Sequence, residues 1–241
     1  MLERDDLVNL QDELNQNIVF RTLEKELYDF AHASLREYCR DKLPEGEKVK
    51  LHSKAARCIE SLKDKLPERY VYFSLADHLF LGQEYKKALE LNLRLGSLLY
   101  ALFDYTTALR LTEQAEICAG KANDRYALAA ALHQKGMILH DLGRFSASLD
   151  SYNQSLNIYR KKLLDSDPSN VNSQSDVAMT SNNIGTLLAG MGKRDEAREY
   201  YKNALATFED LKDAERASIV KGKIAMLQEA SYKKWWQFWK K

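Results

Sequence analysis

The sequence is short of the residues that break helices. Three prolines and ten glycines are spread over 241 residues, which leaves most of the chain free to form long helices joined by short connections. A long apolar run is also missing. The longest stretch that is both uncharged and apolar, LGSLLYALF over Leu95–Phe103, is about half of the ~20 residues that a membrane-spanning helix needs. The acidic opening MLERDDLVNL is unlike a secretory leader, which begins basic and turns apolar. Cys39, Cys58 and Cys118 have neither metal-ligand nor redox spacing, so reduced thiols in a cytoplasmic protein are expected. A net charge of +1 supplies no general attraction for nucleic acid, which is not an expected partner.

That small sum conceals an asymmetry. Residues 1–30 hold eight acids and three bases, net −5, whereas residues 212–241 hold eight bases and three acids, net +5. The two ends are therefore expected to meet different partners or environments.

Catalytic equipment is lacking as well. There is no G-x-x-x-x-G-K-[ST] phosphate loop, no nucleophile elbow and no zinc signature. His133 and His140 lie seven residues apart on one helix face, but no Cys, Asp or Glu stands at ligand spacing with them. Asp141 is the sequence neighbour of His140 and is expected to point away from it. No metal, no cofactor and no enzymatic activity are expected.

What is present is repetition. GMILHDLGRFSASLDSYNQSLNIY (Gly136–Tyr159) and GTLLAGMGKRDEAREYYKNALATFE (Gly185–Glu209) share one pattern. A second glycine follows the first by seven residues, then come a small residue (Ser148 or Ala197), a tyrosine (Tyr152 or Tyr201) and a small-Leu pair. Each unit reads as two antiparallel helices. The first glycine permits their close approach, the second ends helix A, and the small residue and tyrosine lock helix B against it. The pattern resembles the tetratricopeptide repeat. The 49-residue step from Gly136 to Gly185 exceeds the usual ~34, and the excess is placed in a polar loop, Leu163–Val177, containing Pro168. Ala217–Ala230 reads as a final helix A without an ordinary helix B. Upstream, Tyr85/Ala88 and Tyr105/Ala108 recur 20 residues apart, which fits one helix over about Glu84–Leu102 serving as helix B of one unit and helix A of the next. Glu45–Leu66 reads as a helix with Val49, Leu51, Ala55, Cys58, Ile59 and Leu62 near one face.

The first forty residues differ. NIVFRTLEKELYDF places β-branched and aromatic residues around a charged turn, as a short hairpin does. A helix over about Ala31–Lys42, stopped by Pro44, follows. The run YDFAHASLREYC…LP…KVKLHSKAARCIE is similar to a stretch of NLR-like signal-transduction ATPases and of large bacterial adenylate-cyclase and regulator proteins. There a winged-helix module leads into a tetratricopeptide superhelix. The matching residues are Phe30, His32, Arg36, Glu37, Leu51 and His52. The resemblance implies an arm of such a protein without its motor. It also implies an alternative role as a trans-acting regulatory subunit of a P-loop NTPase (P-loop ATPase) switch, with His32 as a nucleotide-sensor remnant.

The expected architecture is thus all-α, a tetratricopeptide-type solenoid of antiparallel helix pairs with a small winged-helix remnant. Residues 1–66 form the remnant and linking helices, and 67–230 the superhelix. Within the superhelix, 67–120 are irregular repeats, 126–162 and 176–211 regular repeats, and 213–230 a capping helix. Residues 231–241 are the tail. The expected function is a non-enzymatic protein-interaction module, an adaptor or sensor arm in signalling. The resemblance implies a concave groove lined by the A helices, with site residues Phe73, Phe80, Tyr100, His133, Met137, His140, Met179, Asn182 and Thr186. This set has no lysine or arginine, so an apolar or neutral helix or peptide is the expected ligand.

The tail, SYKKWWQFWKK, carries all three tryptophans of the chain and four lysines. On a helical wheel Tyr232, Trp235, Trp236, Phe238 and Trp239 share an arc of roughly 160°, opposite Lys233, Lys234, Lys240 and Lys241. Two readings follow. The aromatics cap the open end of the solenoid, or the tail lies on an anionic membrane surface with its lysines toward the lipid headgroups. The second makes the protein cytoplasmic and peripheral at the membrane.

Overall fold

The computed structural model describes residues 20–24, 27–30, 42–65, 68–165 and 170–239. Strands β1 (Phe20–Glu24) and β2 (Leu27–Phe30) pair antiparallel, with Phe20 opposite Phe30. Such a hairpin is common to many folds and does not by itself define a winged helix. The residues expected to complete that module, 1–19 and 31–41, lie outside the described residues.

Nine helices follow among the described residues: α1 (Glu45–Ser61), α2 (Glu68–Leu81), α3 (Tyr85–Ala101), α4 (Tyr105–Lys121), α5 (Arg125–Asp141), α6 (Phe145–Asp165), α7 (Val171–Gly190), α8 (Arg194–Asp210) and α9 (Ala214–Trp239). One turn chemistry joins nearly all of them. Gln83, Phe103, Asn123, Gly143, Gly192 and Lys212 have positive φ, between 55° and 80°. Each follows a helix as its left-handed C′ residue. The next residue then donates its N–H back to a carbonyl five positions earlier, as in Asp104→Leu99 at 2.9 Å and Arg144→Leu139 at 2.8 Å. This is the Schellman closure, which satisfies the last carbonyls of one helix. The same residue begins the next helix. Asp104, Asp124 and Asp213 accept from the N–H three residues on at 3.2, 2.9 and 3.0 Å, so one aspartate closes one helix and caps the following one. Such short links force consecutive helices to lie antiparallel.

The α6–α7 connection departs from this and corrects the expected loop over 163–177. Helix α6 runs on to Asp165 and α7 already begins at Val171. The polar residues that read as loop are a cap and a first turn. Asn170 accepts from Ser173 N–H at 3.0 Å, and Ser173 is buried. Two long helices therefore account for the 49-residue period.

The helices pair as α3/α4, α5/α6 and α7/α8, each partner packing more extensively with the other than with the next unit. Helix α1, expected as a linker, is the first partner of α2. This corrects the double role expected of α3. It is helix A of its own unit, and α2 belongs to α1 as a helix B. Within α5/α6 and α7/α8 the glycine–tyrosine lock is tight. A Cβ on Gly136 would lie 2.7 Å from the Tyr152 ring, and one on Gly185 2.7 Å from the Tyr201 ring. Both tyrosines are buried. Helix α9 does not stop at residue 230; the solenoid helix and the tail are one helix to Trp239.

Candidate functional site

Helices α3, α5, α7 and α9 turn faces toward one furrow holding two neighbouring cavities. The first, about 350 Å³, is walled by Leu93 and Tyr100 of α3, His133, Gln134 and Met137 of α5, and Met179 of α7. The second, about 280 Å³, shares His133, Met137 and Met179, and adds Asn182 and Asn183 of α7 with Ile219 of α9. The two methionines and His133 thus form a bar between the cavities. Methionine adapts to irregular apolar partners.

The structure brings together Tyr100, His133, Met137, Met179 and Asn182. Thr186 stands one turn beyond Asn182 and donates to the Asn182 carbonyl at 3.0 Å. Phe73 and Phe80 are elsewhere. They lie on α2 and pack against buried clusters that include Leu95 and Leu111, and Leu79 and Leu89, respectively. The small position at Ala76 belongs to a B helix, so the groove register does not apply around it. In agreement, Asp77 faces Arg110 (2.6 Å) and Gln114 (3.3 Å) on the next B helix, α4. His32, Lys240 and Lys241 lie outside the described residues, and the NTPase reading has no structural observation to carry it.

His140 is at the α5 terminus, and here the expectation about Asp141 is corrected. Asp141 Oδ1 is 2.9 Å from His140 Nδ1. In the last helical turn both side chains are free to swing together across the ~100° that separates sequence neighbours. The other oxygen, Oδ2, accepts from Tyr100 OH at 2.7 Å and so ties α3 to α5. Burial and this carboxylate push the Tyr100 phenol above its ordinary range.

A directed chain of hydrogen bonds crosses the floor. Thr180 Oγ1 donates to the Asp176 carbonyl at 2.8 Å, so it accepts from His133 Nδ1 at 2.9 Å. His133 is then protonated on Nδ1, and its bare Nε2 accepts from Asn183 Nδ2 at 3.3 Å. Asn183 Oδ1 accepts from Asn182 Nδ2 (3.2 Å), whose Oδ1 accepts from Lys223 Nζ (3.0 Å). Burial holds the His133 imidazole down at about 4, so it is neutral at physiological pH.

Lys223 is the residue that sequence reasoning missed. It was counted with the basic C-terminal segment, whereas α9 carries it, with Arg216, to the furrow. The expectation of a groove without lysine or arginine is therefore overturned. A signal was available: Lys223 lies within Ala217–Ala230, the stretch that reads as a final helix A. Gln134 was also missed, because a glutamine inside an apolar stripe carries no spacing signal.

Tetratricopeptide-repeat family profiles match residues 90–161 and 177–211, so the chain carries tetratricopeptide repeats over α3–α6 and α7–α8. Such repeats are typically non-enzymatic scaffolds. Among solved structures the chain is similar to BtubC (BKLC) from P. vanneervenii, at 16% identity and TM-score 0.40, covering 79% of this chain and 93% of that one. It is similar to MamA at 19% identity and TM-score 0.40, covering 77% and 99%. It is also similar to a putative kinesin light chain with nearly identical TPR-like repeats from Podosopora anserina, at 13% identity and TM-score 0.34, covering 76% and 97%. No curated protein matches the chain. Among the described residues no helix is long and apolar enough to cross a membrane, and no group of three or more His, Cys, Asp or Glu side chains is arranged to hold a metal.

Proposed function

We propose that this protein is an interaction module, an adaptor or sensor arm, whose furrow over α3, α5, α7 and α9 binds a helix or extended segment of another protein. The observation that carries the reading is the Met137–Met179 bar, set between two cavities and braced by the His133 chain. A pliable apolar centre with polar edges is the arrangement in which a few buried anchors supply most of the affinity. Asn182 has a positioning role, since its amide is committed to Asn183 and Lys223. Random dodecapeptides displayed on phage and panned against the full chain test this. Peptides should be recovered that bind the wild type and fail to bind the Met137→Asp/Met179→Asp double variant, with helical content unchanged by circular dichroism. Peptides that bind both proteins equally would remove the furrow as the site.

A second reading concerns the tail, and the continuity of α9 from Ala214 to Trp239 favours it. An unbroken helical backbone gives the aromatic and basic arcs a single rod on which to be displayed, the form an interfacial anchor takes. Deleting residues 232–241 should abolish co-sedimentation with phosphatidylserine vesicles and leave the melting temperature nearly unchanged. A large fall in melting temperature, with no vesicle binding by the intact chain, would make the tail a cap.

A further inference from the structure

Helix α9 presents Arg216, Val220 and Lys223 at i, i+4 and i+7, opposite Ser175, Asn182 and Thr186 of α7. Arg216 Nη1 reaches Ser175 Oγ at 3.2 Å, and Lys223 Nζ reaches Asn182 Oδ1 at 3.0 Å and Thr186 Oγ1 at 2.9 Å. The two cations differ in one respect. Arg216 already has a carboxylate, Asp213 Oδ2 at 3.0 Å. Lys223 has none within ion-pair distance among the described residues; its partners are two neutral oxygens and the face of the Tyr201 ring, 5.6 Å away.

An ammonium group has three N–H donors, and two are taken. The oxygens that hold them cannot be exchanged for an anion from within the fold. Thr186 Oγ1 also donates to the Asn182 carbonyl and accepts from Tyr201 OH at 3.2 Å, which saturates it. Asn182 is fixed by the one-way chain through Asn183 to His133. A half-buried charge without a counter-charge is costly, and burial accordingly holds the Lys223 amine below its ordinary value.

We propose that Lys223, held by Asn182 and Thr186 at the α7–α9 seam, is a subsite for the carboxylate of an Asp or Glu side chain in the segment that the furrow binds. This rests on the furrow reading above. The arriving carboxylate takes the third N–H in a charge-assisted bond and supplies the missing counter-charge. The adjoining cavity, walled by Met137, Met179 and Ile219, takes an apolar neighbour of that acid. A phosphate is a poorer match, because its charge near −2 would face one uncompensated cation. The partner is thus a protein segment with an acidic residue beside apolar ones.

The phage selection decides the matter when run in parallel on the full chain, Lys223→Met and Lys223→Arg. The wild-type and Lys223→Arg pools should be enriched in Asp or Glu at a fixed spacing from apolar residues, and the Lys223→Met pool should keep the apolar residues and lose the acid. A recovered peptide and its Glu→Gln counterpart, compared by fluorescence anisotropy, should differ about tenfold in affinity for the wild type. For Lys223→Met they should differ less than twofold. A wild-type pool without acidic bias, or a bias that survives Lys223→Met, overturns the subsite while leaving the furrow in place. Binding that is indifferent to the Met137/Met179 pair overturns both. If Lys223→Met does not fold, the Glu→Gln comparison on the wild type and the Lys223→Arg pool still decide.

Discussion

The unit α3/α4 and the units α5/α6 and α7/α8 close their helices with the same turn but fill the space between them differently. In the two downstream units a tyrosine sixteen residues after the glycine, Tyr152 or Tyr201, lies flat against it. Sixteen residues after Gly96 stands Thr112, which is too small to fill the same gap. The room is taken instead by Gln134 reaching across from α5. A Cβ on Gly96 would meet Gln134 Nε2 at 2.8 Å and Thr112 Oγ1 at 2.9 Å. These atoms, with both polar atoms of the buried Asn92 carboxamide, have no hydrogen-bond partner among the described residues. Downstream, the small hydroxyls are bonded: Ser148 donates to the Gly136 carbonyl at 2.7 Å and Ser155 to the Ala129 carbonyl at 2.8 Å. One scaffold thus accepts either an aromatic wedge or a polar side chain borrowed from the next unit. The wedge demands its glycine more strictly, because a ring cannot turn aside as the end of Gln134 can.

The largest expected effect tests that last point. Gly136→Ala and Gly185→Ala place a methyl against an immobile ring and should destabilise by about 1–3 kcal/mol, the range for overpacking. Gly96→Ala meets the movable end of Gln134 but also the buried Thr112 hydroxyl, and it gains about 1 kcal/mol of helix propensity, so it should destabilise less than the other two. Urea unfolding of the three variants measures this. Equal losses at all three sites would erase the distinction between the regions.

Acid should act on both regions through histidines. In the downstream units His133 has a folded pKa of about 4 against 6.5 unfolded. The unfolded chain therefore binds the extra proton first, and stability is intact above about pH 6.5 and falls as pH drops toward 4. The loss should reach about 1–2 kcal/mol, discounted for the partial opening of His133 to the furrow. Upstream, His52 and His78 approach each other at 2.8 Å between their Nδ1 atoms, and both are held below the ordinary histidine value, chiefly by burial. Melting curves from pH 7.5 to 4.5 should show His133→Asn flattening part of the acid decline and His52→Asn/His78→Asn another part. A decline unchanged in His133→Asn would mean that its chain of bonds reverses without cost.

The smallest effect concerns the turns. Upstream the left-handed position is occupied by Gln83, Phe103 and Asn123, downstream by Gly143 and Gly192 as well as Lys212. Phe103, 77% exposed, is a bulky residue in a conformation that disfavours it. Phe103→Gly should therefore stabilise by about 0.5 kcal/mol, and Gly143→Ala should destabilise by about 1 kcal/mol. Thermal melts of the pair should shift in opposite directions.

The same contrast explains what could be read in advance. Gly143 and Gly192 advertise their turns, and Gly136 with Tyr152 and Gly185 with Tyr201 advertise the lock, so α5 to α8 were visible as repeats. Phe103 in a glycine's place and Thr112 in a tyrosine's hid the identical geometry upstream. There the pairing of α1 with α2 was misread and Phe73 and Phe80 were assigned to the wrong face. Composition also misled between α6 and α7, where Asn170 and Ser173 looked like loop and are a cap and a buried first-turn residue.

By itself the sequence determined the local terms: helices with few breakers, the repeat spacing, the interlocking pairs, and the methionines, asparagine and His133 of the downstream A helices. These depend on propensity and on contacts within one helix pair, where spacing along the chain stands in for distance. The tertiary structure alone decided what units contribute to one another. Tyr100 meets Asp141 and Lys223 meets Asn182 across 41 residues, and Gln134 fills a gap in the preceding unit. Only stacking brings such residues together, so no period in the sequence marks them, and Lys223 reaches Asn182 and Thr186 from the last helix.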